Sequence, residues 1–473
     1  MSTRIDQATR YFYNLSHLPM RQLSFLCLLL SGLAAQTQAQ AQAKTPTPTQ
    51  QPTFNAARLD SLLDGLAANN KLMGSLALSR GGQPLYSRAF GYADAATKTA
   101  ATPATRYRIG SITKVFTATM IMQLVDERKL TLDAPLSRFF PQLPNAAIIT
   151  VDQLLSHRSG LHNFTSDPAY GTYMSQPKTQ AELLTIIGQA KTDFEPGAKY
   201  AYSNSNYVVL GFIVEKLTKL PYAQAVQQRI GKKAGLTSTY YGGKIDPRKQ
   251  EALSYERAGT DWKLSSETDM SIPGGAGALV ATPADLNRFL SALFGGKLVS
   301  ASSLTTMRTM RDGYGRGLME VPFGAKKGYG HSGGIDEFAS RAYYFPDGQL
   351  AVAVCANGGT FSLNDVLIGA LSVAFNKPYK IPSFAASTYV PASADLDRYV
   401  GTYASAQLPL KITFTREGNV LRSQASGQSA FALEAVSAGV FRFEPAGIVV
   451  EFEAGKPSFV LRQGGGSFGF VKE

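Results

Sequence analysis

The order in which strand and helix patterns follow one another constrains the fold of this chain more than its composition does. Two apolar runs, 76–79 and 84–90, flank Gly81-Gly82 and predict an early β-hairpin. A mainly helical middle follows, and a last helix is predicted at 365–375. Before that helix, strands are predicted near 327–332, 337–345 and 349–356, with Pro346-Asp347-Gly348 as the turn between the last two. An antiparallel sheet covered by helices fits this order better than a doubly wound parallel sheet, so the predicted class is α+β.

The pattern changes from about residue 388 onward. Short alternating runs such as 411–415 and 448–452 are separated by turns that contain Gly and Pro, which predicts a small all-β sandwich or barrel. A chain of 473 residues also exceeds the size at which one hydrophobic core usually stops growing. We therefore expect two folded domains, at 56–380 and at 388–473.

Residues 1–43 have the features of an export signal. A short apolar run at 23–35 follows a basic residue and leads into Ala39-Gln-Ala-Gln-Ala43, which predicts a cleaved signal peptide, with Met20 as an alternative start. The apolar run is shorter than the about 20 residues that a membrane-spanning helix needs. Residues 44–55 are rich in Pro, Thr and Gln and predict an extended linker. The expected location is the periplasm or the exterior, with no transmembrane span in the mature chain.

Charge, cysteine and histidine content exclude several classes of function. The formal net charge is +13, but Lys and Arg are scattered and no nucleic-acid-binding motif occurs, so no nucleic-acid partner is expected. After the predicted signal peptide the only cysteine is Cys355, so the mature chain cannot form an internal disulfide. No H-E-x-x-H motif and no Cys–His pair at a zinc-ligand spacing occurs, so neither a metal nor another cofactor is expected.

One catalytic motif is rejected on the order of its residues. Gly330-His-Ser-Gly-Gly334 matches G-x-S-x-G, the nucleophile elbow of α/β-hydrolases, which place their catalytic histidine after the serine. No histidine follows Ser332 in the chain. His157 and His162 lie at the predicted end of a helix and in the turn after it, where structural roles are expected.

A serine three residues before a lysine shares one face of a helix with it, and a desolvated lysine can accept the hydroxyl proton as a neutral amine. This S-x-x-K pattern occurs twice, at Ser111–Lys114 and at Ser175–Lys178. Pro177 breaks the second copy, whereas the first lies between Gly110 and an apolar run at helical spacing. Ser111 is therefore predicted at a helix N-terminus, either as a nucleophile favoured by the helix dipole or as a simple N-cap residue.

Two further segments offer polar groups to a cleft. In Tyr202-Ser203-Asn204, just before a predicted helix, the phenol could relay or accept the serine proton and the amide could hold Lys114 or a substrate carbonyl. A surface turn supported by asparagine is the alternative interpretation. The predicted strand at 327–334 has small residues where a substrate backbone must come close, and His331 would add a donor that faces the substrate. Otherwise His331 is a hydrogen-bonded histidine on an edge strand.

Taken together, S-x-x-K, Y-x-N and H-x-G, in this order, resemble the serine β-lactamase and penicillin-binding protein superfamily, in its class C-like branch of DD-peptidases, D-aminopeptidases and esterases. The stretches 154–161 and 274–285 are also similar to that branch. The resemblance covers about residues 56–378 and implies a β-lactamase/transpeptidase-like antiparallel sheet, flanked by helices, with a helical subdomain. The C-terminal domain looks like the small lipocalin-like barrels appended to some members.

The resemblance also implies roles for the residues of the three motifs. Ser111 would be the acylated nucleophile, and Lys114 and Tyr202 would share the general-base and general-acid work. Asn204 would orient the lysine and the substrate, and the oxyanion hole would be formed by the backbone N–H groups of Ser111 and Gly334. The substrate would further contact His331, Ser332 and Gly333.

The implied function is a serine hydrolase that acts on a small peptide, amide or ester, including peptidoglycan-derived peptides. The first hypothesis is a D-alanyl-D-alanine carboxypeptidase-like enzyme for D-amino-acid peptides or related amides. An esterase or weak class C-like β-lactamase is the second, and a non-catalytic peptidoglycan- or penicillin-binding protein is the third. Because His331 stands where β-lactamases of this branch have the lysine of K-T-G, efficient penicillin hydrolysis is not expected.

Overall fold

The computed structural model describes residues 54–473, apart from residues 260, 385–386 and 464–465. The predicted signal peptide at 1–43 and most of the predicted linker at 44–55 lie outside the described residues. Within the described part of the chain, no helix has both the length and the apolar character that crossing a bilayer requires.

The centre of the fold is a six-stranded antiparallel sheet that joins the beginning and the end of the predicted 56–380 domain. Its spatial order is Met319–Phe323, Lys326–Ile335, Phe338–Phe345, Leu350–Gly359, Leu72–Arg80 and Gln83–Phe90. The early hairpin pairs with the last strand of the meander, so that Leu76 lies opposite Val354. The predicted hairpin, meander and α+β class are therefore confirmed.

Both faces of this sheet are covered. Helices Ala56–Ala68 and Leu363–Ala374 pack on one face, and helix Pro283–Phe294 packs on the other. A strand buried on both faces is apolar rather than alternating, which is the pattern of the first seven residues of Leu350–Gly359. Thr282 caps the Pro283 helix by accepting a hydrogen bond from the backbone N–H of Asp285.

A helical region beside the sheet surrounds the helix that begins after Ser111. This helix, Thr113–Asp126, is buried on all sides over its first twelve residues. It packs against Asn204–Thr218 and against the short helix Gly274–Gly277.

The remaining α-helices among the described residues are Val151–Leu155, Tyr170–Tyr173, Gln180–Gln189, Tyr222–Val226, Lys232–Ala234, Ala301–Arg308 and Ser393–Asp397.

Short strands complete the first part of the chain. A three-stranded sheet is formed by Tyr107–Arg108, Leu279–Ala281 and Tyr240–Tyr241, in that order. Two-stranded sheets pair Tyr92–Asp94 with Thr99–Ala100 and Tyr255–Ala258 with Asp261–Leu264.

The C-terminal part of the chain is a nearly closed β-barrel, which decides between the predicted barrel and sandwich. Its strands follow the spatial order Phe431–Ala432, Val420–Ala425, Lys411–Glu417, Gly401–Ala404, Gly466–Lys472, Ser458–Gln463, Ile448–Phe452, Val440–Phe443 and Glu434–Ser437. The two outermost strands of this order are joined through the single residue Leu433, which brings the edges together. The interior is filled by aromatic rings, with Phe452 and Phe459 at 5.3 Å between centroids and Tyr403 and Phe459 at 5.2 Å.

The close packing of the strand Lys326–Ile335 generates a stability prediction. A methyl group on Gly333 would lie 2.0 Å from the carbonyl oxygen of Ile109 and 2.5 Å from Ser340 Oγ. We therefore expect Gly333→Ala to lower the free energy of unfolding by about 1–3 kcal/mol, measured by urea denaturation. The matched control is Gly171→Ala, because a Cβ there meets no atom within 4 Å. Equal stability of the two variants would contradict the prediction.

Candidate active site

The head of the Thr113–Asp126 helix is held in place by two strands, Leu279–Ala281 and Phe338–Phe345. The backbone N–H of Ile109 donates to the carbonyl of Leu279 at 3.0 Å, and the backbone N–H of Leu279 donates to Thr113 Oγ1 at 3.2 Å. From the central sheet, Ser340 Oγ donates to the carbonyl of Ile109 at 2.9 Å. The intervening 3-10 turn, Gly110–Ile112, therefore presents Ser111 from a fixed support.

Ser111 does not act as a helix cap. The N-cap position of the helix is Ile112, and no side chain caps it. The Ser111 hydroxyl instead lies 3.0 Å from Lys114 Nζ and 2.9 Å from the phenol oxygen of Tyr202. The structure thus brings S-x-x-K and Y-x-N together around one hydroxyl and rules out the simple N-cap alternative.

Lys114 is completely buried, and its amine has three oxygen neighbours. Besides Ser111 Oγ, these are Asn204 Oδ1 and the carbonyl oxygen of Ala276, each at 2.8 Å from Nζ. No acidic side chain in the described part of the chain forms an ion pair with Lys114. Burial without a counter-charge disfavours the ammonium form and lowers the pKa of Lys114 well below its ordinary value.

The phenol of Tyr202 is shifted in the opposite direction by the same cause. Burial disfavours the phenolate and raises the pKa of Tyr202 above its ordinary value, although the hydrogen bond with Ser111 opposes this shift. Burial therefore favours the neutral phenol of Tyr202, which can donate a proton, and the neutral amine of Lys114, which can accept one. This arrangement provides a base and an acid on the same hydroxyl.

The amide of Asn204 is fixed in orientation by residues that the sequence did not reveal. Its Nδ2 donates to Thr165 Oγ1 at 3.0 Å, and Thr165 Oγ1 donates to Asn163 Oδ1 at 3.1 Å. The backbone N–H of Asn204 also donates to Asn163 Oδ1, at 2.8 Å. Because Thr165 accepts from the amide nitrogen, the amide oxygen is turned toward Lys114.

Two glycine contacts bring the helix head and the strand Lys326–Ile335 together. Gly110 has φ +50°, a conformation that side chains disfavour, and a Cβ there would lie 2.8 Å from the backbone nitrogen of Gly334. Gly333 approaches the carbonyl oxygen of Ile109 in the same way. Ser111 and Gly334, whose N–H groups are the predicted oxyanion donors, both line the adjoining cavity.

That cavity has a volume of about 380 Å³ and extends from Ser111 along the helical region. Of its described lining residues, Asp336 is the only one with a carboxylate or a cationic side chain. Asp336 accepts a hydrogen bond of 2.8 Å from Arg108, which also bonds Glu267 at 3.0 Å. The cavity wall therefore presents no unpaired positive charge to a substrate. The lining residues are Gly110, Ser111, Thr165, Tyr170, Met174, Asn204, Thr268, Pro273, Ala276, Gly277, Gly334, Ile335 and Asp336.

His331 and Ser332 are not brought to this cavity. The His331 ring is buried, and its Nε2 lies 3.1 Å from the phenol oxygen of Tyr314. Burial lowers the pKa of His331 to about 3, so the ring is neutral. Ser332 Oγ lies 3.9 Å from Met319 Sδ. The expectation of a histidine donor that faces the substrate does not agree with this placement, because the strand turns the ring into the core.

Comparison with known proteins gives one family and several relatives. The model of the family described as Beta-lactamase matches residues 59–370. Penicillin-binding protein 4* of Bacillus subtilis (strain 168) is 26% identical over 443 residues, covering 86% of this chain and 96% of that protein. The teichoic acid D-alanine hydrolase of Staphylococcus aureus (strain MRSA252) is 26% identical over 238 residues, 50% of this chain and 58% of that protein.

Among solved structures, the D-amino acid amidase from Ochrobactrum anthropi SV3, complexed with L-phenylalanine amide, superposes with a TM-score of 0.60. It is 29% identical in sequence, and the match covers 68% of this chain and 98% of the amidase.

The opposed shifts of Lys114 and Tyr202 predict the pH dependence of the site. Only the neutral amine accepts a proton, so kcat/KM should fall as the pH drops through the lowered pKa of Lys114. It should fall again only at high pH, where Tyr202, whose pKa is raised, loses its proton. The measurement is the pH profile for hydrolysis of an amino-acid amide, because an amine leaving group needs a proton.

Variants assign the two limbs of that profile. Lys114→Ala should lower kcat/KM by about 10²–10⁴-fold, the usual contribution of a general base. Tyr202→Phe should remove the alkaline limb. An acid limb near the ordinary pKa of an exposed lysine would contradict the assignment of Lys114 as a neutral base.

Proposed function

This chain belongs to the beta-lactamase family and is a serine hydrolase, and from that premise we propose that it cleaves D-amino-acid amides and short D-amino-acid peptides through an acyl-enzyme at Ser111. The observation that carries the proposal is the Ser111 hydroxyl, which lies within hydrogen-bonding distance of both a buried amine and a buried phenol. A hydroxyl so placed becomes a nucleophile when the neutral amine takes its proton.

Acylation begins with transfer of the Ser111 proton to Lys114 Nζ while Oγ attacks the substrate carbonyl. The oxyanion of the tetrahedral intermediate is stabilised by the backbone N–H groups of Ser111 and Gly334. The ammonium formed on Lys114 keeps two oxygen acceptors, Asn204 Oδ1 and the carbonyl of Ala276. These acceptors stabilise the charge only after it has formed, which favours the transition state over the ground state.

Collapse of the intermediate breaks the carbonyl–nitrogen bond and requires a proton on the leaving amine. The phenol of Tyr202 supplies that proton, and the Lys114 ammonium then restores the phenol. Water next attacks the acyl ester, its proton passes to the neutral Lys114, and Oγ leaves as the Ser111 hydroxyl after receiving that proton. The cycle consumes one water molecule and releases an amine and an acid.

The cavity beside Ser111 supports the assignment of the acyl side of the substrate. The leaving group must lie within reach of Tyr202, which does not line the cavity, so the cavity takes the acyl group. With a volume of about 380 Å³ it has room for an aminoacyl or short peptidyl group. The relatives support a D-amino-acid acyl group, because the names of two of them specify D-alanine and D-amino acid amides.

The charges around the site favour amides over peptides that end in a free carboxylate. His331, which stands where β-lactamases of this branch have the lysine of K-T-G, is neutral and buried, so this position offers no cation to the leaving group. A carboxylate on the leaving group would therefore lose water without gaining an ionic partner. The same argument disfavours penicillins, which carry a carboxylate, and leaves esters of the same acyl group as the second candidate substrates.

The proposal predicts a stereochemical preference. The mature protein should hydrolyse D-phenylalanine amide or D-alanine amide at least about tenfold faster, in kcat/KM, than the L-enantiomers. It should act more slowly on a D-alanyl-D-alanine peptide, whose leaving group is charged, and slowest on a chromogenic cephalosporin. Release of ammonia or D-alanine and the change in absorbance measure these rates.

The control is Ser111→Ala. This variant should hydrolyse neither the amides, nor the peptide, nor the cephalosporin, and it should form no covalent acyl adduct in intact-mass measurements. Efficient cleavage of the D-alanyl-D-alanine peptide with no activity on amides would overturn the preference for uncharged leaving groups. Absence of any turnover and of any Ser111 adduct would overturn the proposed function as a whole.

A further inference from the structure

The turn that carries Tyr202 and Asn204 is held by one neighbouring segment, 157–163. The backbone N–H of Ala201 donates to the carbonyl of His157 at 3.0 Å. Farther along, the backbone N–H of Asn204 donates to Asn163 Oδ1 at 2.8 Å. The segment therefore runs beside the Y-x-N turn and contacts it on both sides of Ser203.

Between these two contacts lies the side chain of His157. Its Nδ1 accepts the backbone N–H of Ser203 at 3.1 Å and lies 3.3 Å from Asn206 Nδ2. Its ring centroid is 4.3 Å from that of Tyr202, and the side chain is completely buried. One histidine thus contacts both the backbone of the turn and the ring of the residue that bonds the Ser111 hydroxyl.

The protonation state of His157 follows from its partners. Two N–H donors point at Nδ1, so this nitrogen carries a lone pair and the proton of the neutral ring lies on Nε2. Nε2 has no hydrogen-bond partner among the described residues and lies among tyrosine rings, with Tyr314 at 4.8 Å between centroids. Burial lowers the pKa of His157 well below its ordinary value. Burial therefore favours the neutral ring, with Nδ1 as an acceptor.

We propose that His157 is a positioning residue for the proton donor: its Nδ1 holds the backbone of Ser203 and thereby keeps the Tyr202 phenol on Ser111. The inference rests on the proposed role of Tyr202 as the acid for the leaving group. It assigns a task to the 154–161 stretch that the chemistry of Ser111 and Lys114 does not explain.

A buried histidine that only fills space would behave differently. Its removal would weaken folding and lower all activities of the site together. A histidine that positions Tyr202 matters most where a proton must be delivered to the leaving group. An amide needs that proton because an amine anion leaves poorly, whereas p-nitrophenolate leaves without one. The ratio of amide to activated-ester hydrolysis therefore separates the two roles.

The test compares His157→Asn with His157→Gln. Asparagine puts an acceptor oxygen on Cγ, where Nδ1 is attached, and tolerates the φ of +55° at this position. Glutamine puts its acceptor one bond farther out, near the position of Nε2. The substrates are D-phenylalanine amide and D-phenylalanine p-nitrophenyl ester, which share one acyl group, and kcat/KM is measured for each.

We expect His157→Gln to lower kcat/KM for the amide by about tenfold or more, and to lower kcat/KM for the ester by less than about threefold. Tyr202→Phe should lower the two rates in the same unequal way. His157→Asn should keep the wild-type ratio of the two rates. Partial unfolding lowers both rates equally, so the ratio remains informative even if the variants are less stable. The matched control is His162→Asn, because the His162 side chain bonds Asp167 and Asp193, whereas only its backbone carbonyl contacts the Y-x-N turn.

Equal amide-to-ester ratios in the Asn and Gln variants would overturn the positioning role, and so would an unchanged ratio in His157→Gln. The positioning role would also be overturned if the amide-to-ester ratio fell as far in His162→Asn as in His157→Gln. If the wild-type protein hydrolyses neither substrate, the proposed function fails instead, so the two failures are distinguishable.

Discussion

The site depends on a lysine amine buried without a carboxylate partner. In water the ammonium form of Lys114 would dominate, and removal from water is what makes the neutral amine accessible. The protein offers this group only neutral oxygens, from Ser111, Asn204 and Ala276. An acidic neighbour would have restored the ammonium form and removed the base, so the absence of such a pairing from the described contacts of Lys114 is a requirement of the chemistry.

The requirement to exclude water explains the glycines that surround the amine. The carbonyl of Ala276 reaches Lys114 because Gly275 packs closely against Gly211. A Cβ added to Gly275 would lie 2.8 Å from the Cα of Gly211. Gly110 and Gly333 allow the helix head and the sheet to meet in the same way. Backbone packing at these points shields the amine while leaving the Ser111 hydroxyl beside the cavity.

The sequence predicted those parts of the fold and site that have a side-chain pattern. The hairpin around Gly81 and the meander are recognisable because apolar strand runs flank turn residues. The S-x-x-K and Y-x-N groups are recognisable because their side chains stand at fixed spacings along the chain. The strand Met319–Phe323 was missed, since it is short and contains Pro322. Ala276 could not be identified as a ligand of Lys114, because its contribution is a carbonyl oxygen that every residue has. The orientation of the His331 ring could not be predicted, because a motif gives the strand but not Tyr314, the partner that the buried ring contacts.

A single physical cause sets both the base and the acid of this site. Desolvation penalises any isolated charge, so it lowers the pKa of Lys114 and raises the pKa of Tyr202 together. During acylation, however, the positive charge on Lys114 forms together with a negative charge on the substrate oxygen, and the net charge of the cluster does not change. The low-dielectric surroundings that oppose each charge alone strengthen the attraction between the two. The same burial therefore keeps the resting site neutral and stabilises the charge separation of the transition state.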